Sequence, residues 1–226
     1  MALCASFVAL GNWQWRRAVY KDTLAANLSA AASAQPVSLG EALADPERAR
    51  FRKVSTVGVL HSPSVYLDNQ IRDGRVGVLV ANRLSTADAA ADLLVVRGWR
   101  PMVDGMRELP VPEQPAAEIR LSGFLDAPPA AGISLGAAPG STEAVDPLLV
   151  TRVDLAWLSQ RWQRPLLPWV LYLDADSPAG YLRDWQPHYL PPERHRGYAV
   201  QWWGLAAATL VIYAVLTWRQ RQRARV

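Results

Sequence analysis

The longest apolar stretch of the chain lies near its C-terminal end, at residues 198–218. It contains 21 residues and no formally charged side chain. At ~1.5 Å per residue, a helix of this length measures about 31 Å, which matches a ~30 Å hydrocarbon core. Four arginines follow it directly: Arg219, Arg221, Arg223 and Arg225. The pattern predicts a transmembrane helix over 195–218 and a basic tail over 219–226.

A shorter apolar run opens the chain at residues 1–10 and ends in a border of two tryptophans and two arginines, WQWRR. Ten residues are too few to span a bilayer, and no basic segment precedes them as in a signal peptide. Two interpretations remain: a buried or interfacial N-terminus, or the back half of a transmembrane helix whose front half is missing. We favour the second because spans usually leave the bilayer at such a border. We place this helix at 1–17.

Between the two segments the pattern changes to short strands. Seven runs rich in β-branched and apolar residues are separated by turn residues: 52–60, 65–67, 75–82, 93–96, 118–125, 148–150 and 169–173. Short strands of this kind predict an antiparallel sheet or barrel and not a βαβ fold. The expected fold class is therefore membrane-anchored α+β. An antiparallel β-rich, barrel-like domain would occupy 18–194, between an N-terminal and a C-terminal transmembrane helix.

Three further helical segments are predicted. The alanine-rich stretch 17–34 continues the first helix out of the membrane. Ser38, followed three residues later by Glu41, is a capping-box pattern for a short helix. Asp154 is a suitable N-cap for another helix, which Pro165 would end.

Charge and composition then narrow the function classes. The net charge is +4, but the basic residues cluster beside the two apolar segments, which favours contact with lipid headgroups over a nucleic-acid surface. Cys4 is the single cysteine, which excludes an internal disulfide and a CxxC metal site. The arginine-rich tail places the C-terminus in the cytoplasm and the β-rich domain on the other side. The composition and the lack of a transit peptide favour a bacterial plasma membrane, with the chain as a multi-pass protein and its main domain periplasmic.

His195 is the first candidate for chemistry because it stands at the mouth of the predicted span. A neutral imidazole is a common ligand of haem iron. Tyr198, Trp202 and Trp203 would supply an apolar wall, and Gln201, one turn inside the span, a polar contact. Taken by itself, a histidine at a membrane edge more often contacts headgroups.

A complete catalytic motif is missing from the rest of the chain. There is no HExxH and no glycine-rich phosphate loop, and Ser134, in the GxSxG stretch at 132–136, lies in Gly/Pro-rich sequence with no histidine nearby in the chain. Asp174 and Asp176 lie in loop-like sequence without matched ligand spacing, and His61 and His188 are interpreted in the same way, as solvated side chains. We therefore expect that the protein is not an enzyme.

Three stretches together resemble the Surfeit locus protein 1 family of cytochrome c oxidase biogenesis factors. Residues 10–17 are similar to the family's LGxWQxxR, and residues 95–101 to its VxRGWxP. Residues 195–203 are similar to its H-x-x-YAxQW stretch with a following aromatic residue. The order and spacing agree from about residue 9 to the end of the chain.

The resemblance implies a factor that binds haem a transiently and assists its insertion into the catalytic subunit of the oxidase. The partners would be that subunit, membrane lipid and, as a further candidate, haem a synthase. His195 would be the axial ligand of the haem iron. The other expected cofactor-binding residues are Tyr198, Gln201, Trp202, Trp203, Trp13, Gln14 and Arg16. Arg97, Gly98 and Trp99 would stabilise the outer domain or its contact with the oxidase. The alternative is a haem-free membrane scaffold that stabilises assembly intermediates.

Overall fold

A computed structural model describes most of the chain, namely residues 2–102, 109–111, 118–129, 146–183 and 192–224. Contacts divide the chain into two units. The first, which we call the helix pair, comprises Met1–Ser29 and Gln186–Val226. The second, the β-domain, comprises Ala30–Trp185. The predicted membrane boundaries of the terminal helices stay predictions.

The elements follow in chain order, with four helices and seven strands in the described residues. They are α1 (Ala2–Ser33), β1 (Val37–Ser38), α2 (Leu39–Leu43), β2 (Lys53–Arg72), β3 (Arg75–Thr86), β4 (Asp92–Pro101), β5 (Ile119–Asp126), β6 (Leu148–Val150), α3 (Leu155–Trp162), β7 (Leu166–Leu173) and α4 (Pro192–Arg223). All seven predicted β-rich runs coincide with strands, except that Arg52 and Glu118 lie one residue before theirs. The predicted α+β character of the chain is confirmed.

The β-domain contains one seven-stranded sheet, in the order β1-β2-β3-β4-β7-β5, with β6 beside β2. The sheet curls, because β5 also pairs with the first part of β2. We describe it as a curled sheet rather than a closed barrel, since the β2–β5 ladder covers only Lys53–Gly58 of the 20-residue β2. The expected antiparallel pairing is found in four of the seven strand pairings, namely β2 with β3, β2 with β5, β3 with β4, and β5 with β7. Three pairings are parallel, namely β1 with β2, β2 with β6, and β4 with β7.

The strand β2 joins two runs that the sequence pattern separates. Pro63 lies between them, and a proline usually ends a strand because it cannot donate to the ladder. Here the register with β3 shifts between His61 and Val65, so the proline lies at an irregularity and the strand continues.

The two larger apolar cores in the described part of the β-domain lie on opposite faces of the sheet, and a smaller cluster contains Tyr66, Val78, Val80 and Met102. In β4, Leu93 and Val95 belong to the core that also contains residues of α2, while Leu94 and Val96 belong to the core against α3. All four side chains are fully buried. Burial on both faces explains why β4 reads as a continuous apolar run and does not alternate.

The two predicted N-caps of the domain are confirmed. The Ser38 side chain accepts a hydrogen bond from the Glu41 amide, and the Asp154 carboxylate accepts one from the Trp157 amide. The second half of the capping box is replaced, because the Glu41 carboxylate instead accepts from Arg52 at 3.1 Å. Such caps satisfy amide groups that have no partner in the first turn of a helix.

The helix pair consists of two long helices. The predicted continuation of the first helix is confirmed, because α1 runs without a break from Ala2 to Ser33. In the described part of the chain, α4 is the one helix long and apolar enough to cross a membrane. A membrane role for α1 stays a prediction.

Candidate functional site

The helices α1 and α4 contact each other along a regular row of positions. On α1 the less exposed residues recur at spacings of three and four: Cys4, Phe7, Gly11, Gln14, Ala18 and Lys21. On α4 the same spacing gives His195, Ala199, Trp202, Ala206 and Thr209. This spacing is that of the contacting positions in antiparallel helix pairs and coiled coils. The Cys4 thiol lies 3.7 Å from the carbonyl oxygen of Ala206, whereas Gln14 reaches His195, so the helices run in opposite directions.

His195 is held within this contact and is only 9% exposed. Its Nδ1 lies 2.7 Å from Oε1 of Gln14. Because a carbonyl oxygen only accepts, Nδ1 donates the proton, and in the neutral imidazole Nε2 then carries the lone pair. Within the described residues, no hydrogen bond to Nε2 is present. The contact therefore fixes the ring in the form that can ligate a metal through Nε2.

Aromatic side chains fill the contact further along α4. The rings of Trp202 and Phe7 stack with their centroids 5.7 Å apart. Trp203 lies 5.8 Å from Trp15 and also covers Gly11, where an added Cβ would lie 2.4 Å from the indole nitrogen. Offset aromatic pairs at these distances stabilise packing beyond their buried area. The two tryptophans that the sequence suggests as a wall for a cofactor thus hold α1 against α4.

An ion pair closes the polar end of the contact. Arg196 lies 2.5 Å from the Asp22 carboxylate and 3.9 Å from that of Glu193. All three side chains retain solvent exposure, so the pair stabilises little by itself. It does, however, engage the two acidic residues that the structure describes at this end, Asp22 and Glu193, with a single arginine.

The other expected cofactor-binding residues do not join this contact. Tyr198 and Gln201 are exposed on α4, and Trp13 and Arg16 are exposed on α1. The structure thus brings together four of the eight expected residues, His195, Gln14, Trp202 and Trp203, and leaves the other four on outer surfaces.

The RGW sequence in β4 lies inside the β-domain. Arg97 is 2% exposed, and it donates to the carbonyl oxygen of Ala179 at 2.6 Å and to Oδ1 of Asn82 at 3.1 Å. The Trp99 indole donates to the Gln70 carbonyl oxygen at 2.8 Å. Gly98 has φ of 125°, a conformation that favours glycine. These residues therefore stabilise the domain from within.

His61, expected to be a solvated side chain, is only partly exposed and forms a polar pair in the β-domain. Nε2 of His61 lies 2.7 Å from the Ser85 hydroxyl on the neighbouring strand. The pKa of His61 is lowered, mainly by burial and further by the positive charge of Arg83. No group of three or more metal-ligating side chains occurs among the described residues, so the pair is not part of such a cluster.

The helix contact had a sequence signal that hydropathy does not show. Small residues recur every seven positions at Cys4, Gly11 and Ala18 on α1, and at Ala199 and Ala206 on α4. Small residues at such intervals let helices approach closely. They lie in generally apolar or alanine-rich sequence, where a count of apolar positions does not single them out.

Comparison with protein families gives one match. The model of the SURF1 family matches residues 1–207 of the 226. The matched range includes all contact residues of α1 and those of α4 up to Ala206, together with the β-domain. A comparison with curated proteins found no match.

Proposed function

The chain belongs to the SURF1 family, and on that premise we propose that it is a membrane factor for cytochrome c oxidase that binds haem a through His195 and assists its insertion into the catalytic subunit. Family membership is consistent with a role in oxidase assembly. Proteins of this family are generally assembly factors and not enzymes.

The observation that carries the haem proposal is the hydrogen bond between His195 and Gln14. Histidines that ligate metals usually donate their second ring N–H to a fixed acceptor, which sets the tautomer and orients the ring. Gln14 Oε1 is such an acceptor at 2.7 Å from Nδ1. The donor set at this position therefore fits a histidine that would hold haem iron through Nε2.

The two arginines beside His195 differ in whether they can pair with a haem propionate. Arg194 is exposed, and among the described residues it has no carboxylate partner, so it can neutralise a propionate. Arg196 already pairs with Asp22. When bound, haem a would supply the iron centre, whereas the chain's residues bind, orient and shield it. Trp202 and Trp203 would support the site indirectly, by keeping α1 against α4.

The ligand assignment can be tested with His195→Ala, purified in detergent from a host that makes haem a. We expect the absorbance of bound haem to disappear while the far-ultraviolet circular dichroism is unchanged. His61→Ala is the matched control, because it removes a histidine from the β-domain. Equal haem content in the wild type and in His195→Ala would refute the assignment.

The role of Gln14 is tested separately with Gln14→Leu, which has similar size and no acceptor. Loss of such a supporting contact typically weakens metal binding by about 10-fold to 100-fold. Gln201→Leu removes an exposed amide from α4 and should leave the haem affinity unchanged. If a haem titration shows that Gln201→Leu binds haem more weakly than Gln14→Leu, the proposed geometry is contradicted.

A haem-free scaffold is the second candidate, and two observations favour it. His195 is almost completely buried, and the aromatic rings of Trp202 and Trp203 already pack against α1. A scaffold would co-purify with the oxidase catalytic subunit to the same extent in the wild type and in His195→Ala. Haem delivery instead predicts that the variant retains the subunit but that the subunit lacks haem a.

For the topology, we propose a multi-pass protein of a bacterial plasma membrane with the β-domain on the outer side. The support is the contact of the uncharged part of α1 with the first turns of the span in α4, at Cys4 with Ala206 and at Phe7 with Trp202. A green fluorescent protein fused after α4 should fluoresce in the cytoplasm. A cysteine at Glu41, in a Cys4→Ser background, should react with a membrane-impermeant maleimide applied from the periplasmic side. The opposite result for either probe would overturn this topology.

A further inference from the structure

The face of α1 that points away from α4 carries a compact group of residues. Trp13, Arg16, Arg17 and Tyr20 are spaced at i, i+3, i+4 and i+7, so they share one side of the helix. At ~100° per residue this side is nearly opposite the one that contains Gly11 and Ala18. Trp13 is 58% exposed and Tyr20 is 53% exposed, and both arginines are exposed. We call these four residues the outer strip of α1.

The outer strip lies at the level where α4 changes from polar to apolar sequence. Gln14 lies between Trp13 and Tyr20 in sequence and is hydrogen-bonded to His195. His195 is three residues before Tyr198, where the uncharged segment of α4 begins. Because α4 is the candidate membrane span, this level corresponds to the boundary between hydrocarbon and headgroups. Tryptophan and tyrosine are enriched at that boundary.

Positive charge is in excess around the strip. Among the described residues, neither Arg16 nor Arg17 has a carboxylate partner, while Asp22 and Glu193 are committed to Arg196. The pKa of Lys21, one turn beyond Arg17, is lowered by its burial and then by the charge of Arg17. A bound anion at this position would relieve the crowding of like charges.

We propose that the outer strip of α1 binds the phosphate headgroup of an anionic phospholipid. Arg16 and Arg17 would hold the phosphate, since the guanidinium group donates two parallel hydrogen bonds to phosphate oxygens. Trp13 and Tyr20 would flank the headgroup and the upper acyl chains. This assignment places Trp13 and Arg16 outside the proposed haem site, because both lie on the far side of α1 from His195.

A lipid is favoured over other anions by the aromatic residues that bracket the arginines. A soluble phosphate needs only the charges, and an acidic protein segment needs no residue suited to the hydrocarbon boundary. The combination of an exposed indole, two arginines and a phenol along about two turns of helix matches the amphipathic profile of a phospholipid.

The test uses the full-length protein in detergent, titrated with phosphatidylglycerol or phosphatidylcholine and monitored by native mass spectrometry. The double variant Arg16→Gln/Arg17→Gln should bind phosphatidylglycerol about 30-fold more weakly. Each basic residue near the membrane surface contributes about 1 kcal/mol, and every 1.4 kcal/mol corresponds to about a tenfold change in affinity. Its binding of phosphatidylcholine should change little. Arg48→Gln/Arg120→Gln is the matched control, because it removes two exposed arginines from the β-domain.

Each outcome decides the proposal. Equal phosphatidylglycerol binding in the double variant and the control overturns it, and so does an equal loss for both lipids. Displacement of the lipid by millimolar inorganic phosphate would identify a soluble phosphate as the ligand. If Arg16 and Arg17 become shielded from solvent only when the oxidase catalytic subunit is added, the ligand is a protein partner instead.

The charge-conserving variant Arg16→Lys/Arg17→Lys guards against a folding artefact. It should bind phosphatidylglycerol more weakly than the wild type but more tightly than the glutamine variant, because the charges remain while the paired guanidinium hydrogen bonds are lost. Haem content should be unchanged in every variant of the strip. A lipid result is therefore independent of whether His195 binds haem.

Discussion

The helix pair and the β-domain are stabilised in different ways. The β-domain has apolar cores on both faces of its central strand β4, with Leu93 and Leu94 buried in opposite directions. The helix pair has a single row of contacts, in which a hydrogen bond, two aromatic pairs and an ion pair follow each other. Each contact in the row depends on one or two side chains.

The difference predicts that mutations act differently in the two regions. Loss of one side chain in the helix pair breaks a local contact, whereas loss of a buried polar side chain in the β-domain leaves several partners unsatisfied. In the domain, the buried polar residues around Arg97 satisfy each other and serve stability. In the helix pair, polar residues occupy positions that small or apolar residues could fill equally well. Gln14 and His195 are thus the pair for which packing alone gives no reason, which favours a functional role.

The largest effect is expected from Arg97→Met in the β-domain. The change leaves the Asn82 amide oxygen and the Ala179 carbonyl oxygen without this donor, and each buried acceptor without a partner costs about 1–3 kcal/mol. We expect the free energy of unfolding to fall by about 3 kcal/mol, measured by urea denaturation with circular dichroism.

Arg100→Met is the control for this change, because Arg100 lies on the same strand and over the same Tyr181 ring but is partly exposed and donates to the Val111 carbonyl oxygen at 2.7 Å. It should cost no more than about 1 kcal/mol. Equal losses for the two variants would mean that the interior network is not what stabilises the domain.

A smaller effect, confined to the helix pair, is expected from Gly11→Ala. The new Cβ would lie 2.4 Å from the Trp203 indole nitrogen, and overpacking of this kind costs about 1–3 kcal/mol. The native Cys4 provides the measurement, since it lies beside Ala206 and can form a disulfide in an Ala206→Cys background. We expect slower disulfide formation in Gly11→Ala.

Gly197→Ala serves as its control, because no atom lies within 4 Å of the added Cβ at that position. The rate of disulfide formation should be that of the background protein. If both glycine variants behave alike, the close approach of the helices at Gly11 is not needed for their pairing.

The smallest effect concerns the pH dependence of the β-domain. Burial, and then Arg83, hold the pKa of His61 below its ordinary value of about 6.5. The folded state therefore binds the proton less readily than the unfolded state. The stability from this residue is complete above about pH 6.5 and is lost as the pH falls through the lowered pKa.

His61→Gln removes this titration while its amide can still bond to the Ser85 hydroxyl. The unfolding temperature of the variant should decline less than that of the wild type between pH 7 and pH 5. Parallel curves for the two proteins would assign the decline to other groups.

Local patterns predicted much of the β-domain, because strand composition and helix caps are properties of neighbouring residues. The caps at Ser38 and Asp154 are examples. The parallel pairing of β4 with β7 was not predictable in this way, since β5, β6 and α3 lie between the two strands in sequence. Which strands become neighbours is decided by how the two cores fill.

The candidate site was predictable only in part, for a related reason. The resemblance in sequence motifs pointed to His195, but its hydrogen bond to Gln14 joins residues 181 positions apart. The sequence also did not show which aromatic residues lie in the helix contact and which lie in the outer strip. Trp13 and Trp15 are two positions apart, and only the rotation of α1 decides that Trp15 meets Trp203 while Trp13 belongs to the outer strip.

The burial of β4 on both faces has a consequence for hydrogen exchange. Leu94, Val95 and Val96 are paired with β3 on one side and β7 on the other, and a core covers each face of the strand here. Exchange at their amides requires the whole domain to open, and local fluctuations do not suffice. Their exchange rates in the intact protein therefore report the global stability of the β-domain directly, without added denaturant.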